Sequence, residues 1–452
     1  MSDGKSSSLK STVTVSITNF LDSGSIVAGA SGLTLWTKAL GLSSFEVGLL
    51  GALSANAFGS AIGALIGGRL SDKYGRKVIY TYDMLVYMVG TILVALSQNF
   101  VMLLAGFLVT GIAVGAGVPA SWTYISETSE GNNRAKNIGI SQFAWSLGPA
   151  IIFVGGVLLA PMGLMGNRIL FAFLTLVAFI AWRLQSKLEE SQEWVDQKAQ
   201  EKREGKKEHP YKDLFSNMVS VKSLLFLIGV YMFWNLVAGA MGFFMPYVYE
   251  TAGGLSNMQA NLLQAVLWIL TAAATYFGFA KYGDRANHRI FFFVGAAMAL
   301  ASWVVLTFAG MKSSASLWTF VALWGISAGI GAQAWYALWA TELFPTKFRA
   351  GSQGIMFFVV RASAGVWSII FPTILQTLGF QTAGIFMIAL LAVSLIVGTV
   401  WAPHTRGKSL DEITMERYGK AYVLDTHKAA KHQGTTSQTK VDSVPNGSTN
   451  RA

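Results

Sequence analysis

Runs of about 20 apolar residues, separated by short polar breaks, recur along nearly the whole chain. Twelve of them cover approximately 13–36, 45–68, 78–97, 100–124, 138–160, 168–185, 221–250, 257–280, 289–310, 315–340, 352–378 and 380–402. Each is long enough to cross about 30 Å of hydrocarbon as a helix. Lipid offers no partner to a free peptide group, so such a run must close its backbone hydrogen bonds within itself. The pattern therefore predicts an all-α membrane protein with twelve transmembrane helices. A longer polar stretch at 186–220 divides the spans six and six. The expected layout is a leader at 1–12, a six-helix bundle at 13–185, a linker at 186–220, a second six-helix bundle at 221–402 and a tail at 403–452. The first span is too long for a signal-peptide core and is expected to be retained. The last forty or so residues, rich in Lys, Thr, Ser, Gly and Asn, read as disordered.

Composition agrees with this picture and narrows it. Hydrophobic residues make up 53% of the chain and charged residues only 13%, against about a quarter charged in a soluble domain. The net charge of +11 raises nucleic acid as a partner, but its distribution argues against one. With the N-terminus in the cytoplasm, 30 of the 34 Lys and Arg residues fall on that side. This asymmetry predicts a multi-pass plasma-membrane protein with both termini cytoplasmic, and leaves no basic, aromatic-interleaved face for nucleic acid. The chain has no cysteine, which excludes disulfides and thiol chemistry. Its five histidines are scattered through loops and tail, and no phosphate-binding loop occurs, so neither an enzyme nor a cofactor or metal site is expected.

Two charged clusters occur twice, at matching points of each half. Asp72, in the run GGRLSDKYGRK with Arg76 and Lys77, is answered 212 residues later by Asp284, followed by Arg285. Glu127 and Arg134, seven apart, are answered 215 residues later by Glu342 and Arg349. Duplicated halves with charges at equivalent joints point to a two-bundle secondary transporter. Glycines at every fourth position, Gly59, Gly63 and Gly67 in span 2 and Gly111 and Gly115 in span 4, predict close helix contacts, either static or sliding.

These motifs resemble the major facilitator superfamily over 11–413. The glycine-rich loop with Asp72, Arg76 and Lys77 is similar to the family's signature between spans 2 and 3. The resemblance implies that these residues, with Asp284, Arg285 and the pairs Glu127/Arg134 and Glu342/Arg349, gate the cytoplasmic side. LDSGSIVAGA around Asp22, ELFPTKFR at 342–349 and PHTRGKSLDEI at 403–413 resemble the sugar and polyol porters, bacterial carriers of myo-inositol included. Departures are equally visible. Phe107 stands where sugar porters carry an arginine opposite the span-1 aspartate, and Trp234 and Asn235 replace a pair of span-7 glutamines. Arg361, twelve residues after Arg349, matches an arginine of organic-anion carriers instead.

Asp22 and Arg361 are the two ionisable residues deepest in spans. Each lies nine or ten residues from the cytoplasmic edge, roughly 15 Å at 1.5 Å per residue. A charge near the midplane costs several kcal/mol unless it is paired or hydrated, so both are functional candidates. They are expected to pair in one state and to couple transport to a proton taken up by Asp22. A structural ion pair and a role for Arg361 on a substrate carboxylate are the alternatives. Asn56, Gln142, Trp145, Asn235, Gln264, Gln333 and Trp335, with Arg361, are the candidate substrate contacts. Trp324, Trp335 and Trp339 share one helical face, which either lines a cavity or packs. Asp83 is assigned to the cytoplasmic charge network.

Taken with the resemblance, the expected function is proton-coupled uptake of a neutral sugar or polyol of the myo-inositol kind by alternating access, by a monomer in the bilayer. The alternatives are an organic-acid symporter, a uniporter, and a nutrient sensor that binds without carrying.

Overall fold

The structure, a computed structural model, describes residues 2–128, 134–191, 194–195, 198–199, 214–283, 285–408 and 410–419. Among the described residues the regular structure is helical throughout; nine helical segments are long and apolar enough to cross a membrane, the last of them twice, and the helices within 2–40 and 44–74 bring the spans to twelve. The first half comprises α1 (Ser2–Leu40), α2 (Ser44–Ala52), α3 (Phe58–Tyr74), α4 (Arg76–Ala95), α5 (Phe100–Thr128), α6 (Arg134–Leu159) and α7 (Leu164–Gln185). The second comprises α8 (Met218–Thr251), α9 (Asn257–Ala273), α10 (Ala280–Tyr282), α11 (His288–Ala309), α12 (Ser314–Ile330), α13 (Ala332–Glu342), α14 (Thr346–Val400) and α15 (Leu410–Tyr418).

Several of these crossings are interrupted. Span 2 is α2 plus α3. Between them the Ser54 hydroxyl donates to the Gly51 carbonyl at 2.8 Å and accepts the Asn56 N–H at 3.1 Å, so a side chain takes over helix backbone groups. Span 8 is α9, a π-helical turn at Ala274–Phe279, and α10. Span 10 is α12 plus α13, divided at Gly331. α14 holds spans 11 and 12, and the chain reverses at Gly379, whose φ of 79° suits a residue without Cβ. Polar caps fix several helix starts. Ser43 with Glu46 and Ser256 with Gln259 form reciprocal capping boxes, and Asn217, Asn287 and Ser313 cap α8, α11 and α12.

The glycine stripes of spans 2 and 4 face each other. A Cβ on Gly63 would strike the Ile112 backbone, one on Gly67 would strike Ala116, and one on Gly115 would strike Ser60. Both helices belong to the first bundle, so the contact is a static interface inside it. Between the bundles, α1 packs on α8, α6 on α9, and α14 on α2 and α3.

The two bundles meet on both sides of the midplane. On the face opposite the termini, Gly48 lies against the backbone of Ser368 and Ile369, and the Asn257 amide donates to the Ser31 carbonyl at 3.0 Å. On the terminus face, Gly139 lies against Ala280, and Trp122 meets Phe357 edge-on at 6.2 Å. The expectation of disorder from about 413 is corrected over 413–418, which belong to α15. Arg417 donates to the Ser223 hydroxyl at 2.6 Å and Tyr418 to the Leu343 carbonyl at 2.9 Å, pinning this helix to spans 7 and 10.

Candidate substrate and coupling site

A small cavity lies between the bundles near mid-depth. It is lined by Ser23 from α1, Asn56 from the span-2 break, Trp145 from α6, Trp234 and Asn235 from α8, and Trp268, Trp324, Gln333 and Arg361 from the helices beyond. Its volume is about 30 Å³, room for roughly two water molecules. A six-carbon solute therefore enters only when the bundles separate.

Four indoles converge here. Trp145 and Trp268 meet edge to face at 5.3 Å, and Trp234 and Trp324 are parallel within 3° at 6.5 Å. Asn235 donates to the Tyr231 hydroxyl at 3.4 Å, and its carbonyl oxygen has no partner. Tyr231 stacks on Tyr336 at 3.9 Å, which stiffens the wall behind it. Gln333 donates to the Gln142 carbonyl oxygen at 3.5 Å, a bridge between the second bundle and the first.

Asp22 lies one layer behind this lining and is fully buried. The Trp145 indole N–H donates to its Oδ2 at 2.9 Å, while Oδ1 has no partner. Arg361 lines the cavity, donates to the Asn56 carbonyl at 3.0 Å and lies 4.8 Å from the Phe357 ring centroid. Its charge acts on Asp22 through space. Trp145 thus stands on one side of the carboxylate and the guanidinium on another, with no direct ion pair between them in this conformation. Phe107, in place of the sugar-porter arginine, packs edge-on against Phe171 and Phe243 and fills the space beside Gly29. The cation near Asp22 therefore comes from span 11, not span 4.

Of the candidate substrate contacts, Asn56, Trp145, Asn235, Gln333 and Arg361 line the cavity. Gln142 touches it only through Gln333. Gln264 is a correction: it is fully buried outside the lining, near the Tyr249 hydroxyl. Trp335 is another. Its indole donates to the Ile330 carbonyl at 3.0 Å and its ring packs among Phe279, His288, Phe291 and Trp339. The break at Gly331 removes the common face, so Trp324 reaches the cavity while Trp335 and Trp339 enter the bundle core. Trp268, one turn after Gln264, was not singled out by the sequence.

The gating candidates are partly visible. Arg76 is buried and donates to the Ser71 carbonyl at 3.1 Å. Lys77 and Arg285 have exposed side chains, and Glu342 is half-buried at the end of α13. The side chains of Asp72, Glu127, Arg134 and Arg349, and all of Asp284, lie outside the described residues. Glu190, in the acidic opening of the linker, caps the start of α4, a contact the sequence does not specify: its carboxylate accepts the N–H groups of Arg76 at 2.9 Å and Lys77 at 3.0 Å. Gly75, at φ 100°, lets the chain turn beside that carboxylate, which a Cβ would strike.

A model of the Major Facilitator Superfamily matches residues 14–368. The chain belongs to that superfamily. This facilitator is 43% identical over 422 residues to the minor myo-inositol transporter IolF of Bacillus subtilis, covering 92% of this chain and 96% of that protein. It is 24% identical to the glucose transporter GlcP of Staphylococcus epidermidis, covering 86% of this chain and 92% of the other. In fold it is similar to the proton:xylose symporter XylE, with a TM-score of 0.76 at 15% identity, covering 92% of this chain and all of that one. The superfamily and these relatives make it a multi-pass membrane transporter and not an enzyme.

Proposed function

We propose that this protein takes up a neutral cyclic polyol of the myo-inositol type together with a proton, by alternating access. The observation that carries this is the cavity shared by both bundles, lined by indole faces, amide groups and the Arg361 guanidinium, with the Asp22 carboxyl held by Trp145 just behind it. Indole faces pack against the C–H faces of a ring, and amides such as Asn56, Asn235 and Gln333 exchange hydrogen bonds with its hydroxyls. The likeness to a myo-inositol transporter over almost the whole chain supports the same cargo class.

The proton is assigned to Asp22. Direct pairing with Arg361 in another conformation would release it, and loss of that pairing would recapture it. Asn56, Trp145, Asn235, Gln333 and Arg361 are the proposed substrate contacts, with Trp234, Trp268 and Trp324 added by geometry. The charge bias of the loops supports a plasma-membrane location with both termini cytoplasmic. The carrier is proposed to act as a monomer, with bundle boundaries at 13–185 and 221–402. The duplicated charges of the joints support gating by Asp72, Arg76, Lys77, Glu127, Arg134, Asp284, Arg285, Glu342 and Arg349 on the cytoplasmic side.

A second reading has one observation in its favour. Arg361 lines the cavity, and its Nε has no hydrogen-bond partner, so it is available to a substrate carboxylate. Radiolabelled myo-inositol uptake into proteoliposomes, with competition by benzoate and by unlabelled polyols, separates the two. Competition by polyols alone is the expected result. Competition by benzoate, with no myo-inositol uptake in folded protein, would replace the polyol by an organic anion.

A further inference from the structure

The sequence assigned Asp83 to the cytoplasmic charge network, yet it makes no such contact. It lies on α4, seven residues from that helix's start, or about 10 Å at 1.5 Å per residue. The side chain is 5% exposed, and neither carboxyl oxygen accepts or donates a hydrogen bond. An isolated ionised carboxylate in such a place is among the most costly groups a protein can bury.

Its surroundings explain the absence of a partner. A Cβ on Gly117 of α5 would meet both Asp83 Oδ2 and the Thr18 methyl of α1, so these two side chains come together over that glycine. Among the described side chains, the ionisable groups on the packed elements are turned elsewhere. On α4, Arg76 donates to Ser71 and Tyr87 donates to the Leu21 carbonyl at 2.9 Å, while Lys77 and Tyr82 are exposed. On α7, Arg168 donates to the Ser97 carbonyl and Arg183 lies over Trp182. α3 contributes Arg69, Asp72 and Lys73 at its last turns, and α5 contributes Glu127 at its last turn. On α1 the nearest is Asp22, one turn beyond Thr18 toward the midplane.

The strip of α1 between Asp22 and the terminus face is polar and buried. Asn19 accepts from the Trp122 indole at 3.1 Å and donates to Ser121 at 3.3 Å. Thr18 accepts from Gln185 at 2.9 Å, and Thr14 and Ser16 continue the strip. Hydroxyls and amides of this kind support water between two carboxyls when the helices loosen.

We propose that Asp83 is a second proton-binding site, occupied in this conformation, that relays the proton of Asp22 to the cytoplasm. This rests on the proton-coupled function proposed above. When the cytoplasmic half opens, the Asp83 carboxylic acid gives its proton to water there and becomes a carboxylate. It then takes the proton of the Asp22 carboxylic acid through water beside Thr18, leaving the Asp22 carboxylate to pair with Arg361. One proton moves from Asp22 to the cytoplasm, and Asp83 ends neutral as it began.

Infrared spectroscopy of the protein in lipid at neutral pH tests the site without cargo. In Asp22→Asn, where Asp22 contributes no band, the carbonyl band of a protonated carboxyl is expected, and it is expected to be missing from the double variant Asp22→Asn/Asp83→Asn. Persistence of the band in the double variant would overturn the site. Should the double variant not fold, Asp22→Asn/Asp83→Glu serves instead: the band is expected to shift, and an unshifted band overturns the proposal. In proteoliposomes, Asp83→Asn is expected to slow gradient-driven uptake about tenfold while leaving counterflow within about twofold. Wild-type gradient-driven uptake in Asp83→Asn, alongside its loss in Asp22→Asn, would remove the relay but leave the coupling role of Asp22 standing.

Discussion

A single side chain decides how Asp22 is held. In this chain Phe107 deprives the span-1 aspartate of the span-4 arginine that sugar porters use, and two other groups replace it. Trp145 supplies a hydrogen bond at 2.9 Å, and Arg361 supplies charge from the other bundle. A partner in the opposite bundle makes the protonation of Asp22 sensitive to the distance between bundles, which a partner in the same bundle would not. The tryptophans give a second test at this scale. Trp324 lines the cavity and Trp335 does not, although both were expected on one face. An aromatic contact is worth about 0.5–1.5 kcal/mol, so Trp324→Ala is expected to raise the apparent KM for the polyol by roughly threefold to tenfold or more. Trp335→Phe is expected to leave KM unchanged and to lower the melting temperature in detergent. The reverse pattern would return the Trp335 face to the cavity.

At the scale of elements, apolar run length was the most legible signal. The twelve runs correspond to the twelve crossings because the hydrocarbon thickness sets both. The glycine stripes were equally readable, since only close packing requires that spacing. Gly63→Leu is therefore expected to destabilise the first bundle by about 1–3 kcal/mol or more, seen as a lower melting temperature with the second bundle's own contacts intact. An unchanged melt would show that spans 2 and 4 do not pack through this stripe. What escaped the sequence were the interruptions. Ser54 and Gly331 break spans 2 and 10 by local backbone geometry that leaves the hydropathy pattern untouched, and the π-helical turn in span 8 has no pattern of its own. The site inherits those breaks: Asn56 reaches the cavity from one, and Trp335 leaves it because of another. Glu190 and α15 were also hidden, because a cap on another helix's N-terminus and a docked tail depend on tertiary contacts.

On the scale of the whole molecule, the bundles meet above and below a cavity smaller than a polyol, so solute binding and bundle separation are one event. Contacts on the far face, such as Gly48 on Ser368 and Ile369, must part for entry from that side, and those of Gly139 with Ala280 for exit from the other. A carrier built this way exchanges solute whenever both faces open in turn. It accumulates solute only if a proton enters the same cycle. The measurement that separates these is myo-inositol transport by wild type and Asp22→Asn in proteoliposomes, scored both as accumulation under an inward proton gradient and as counterflow without one. Wild type is expected to do both, and Asp22→Asn only counterflow; accumulation by Asp22→Asn at the wild-type level would contradict the coupling role of this carboxyl.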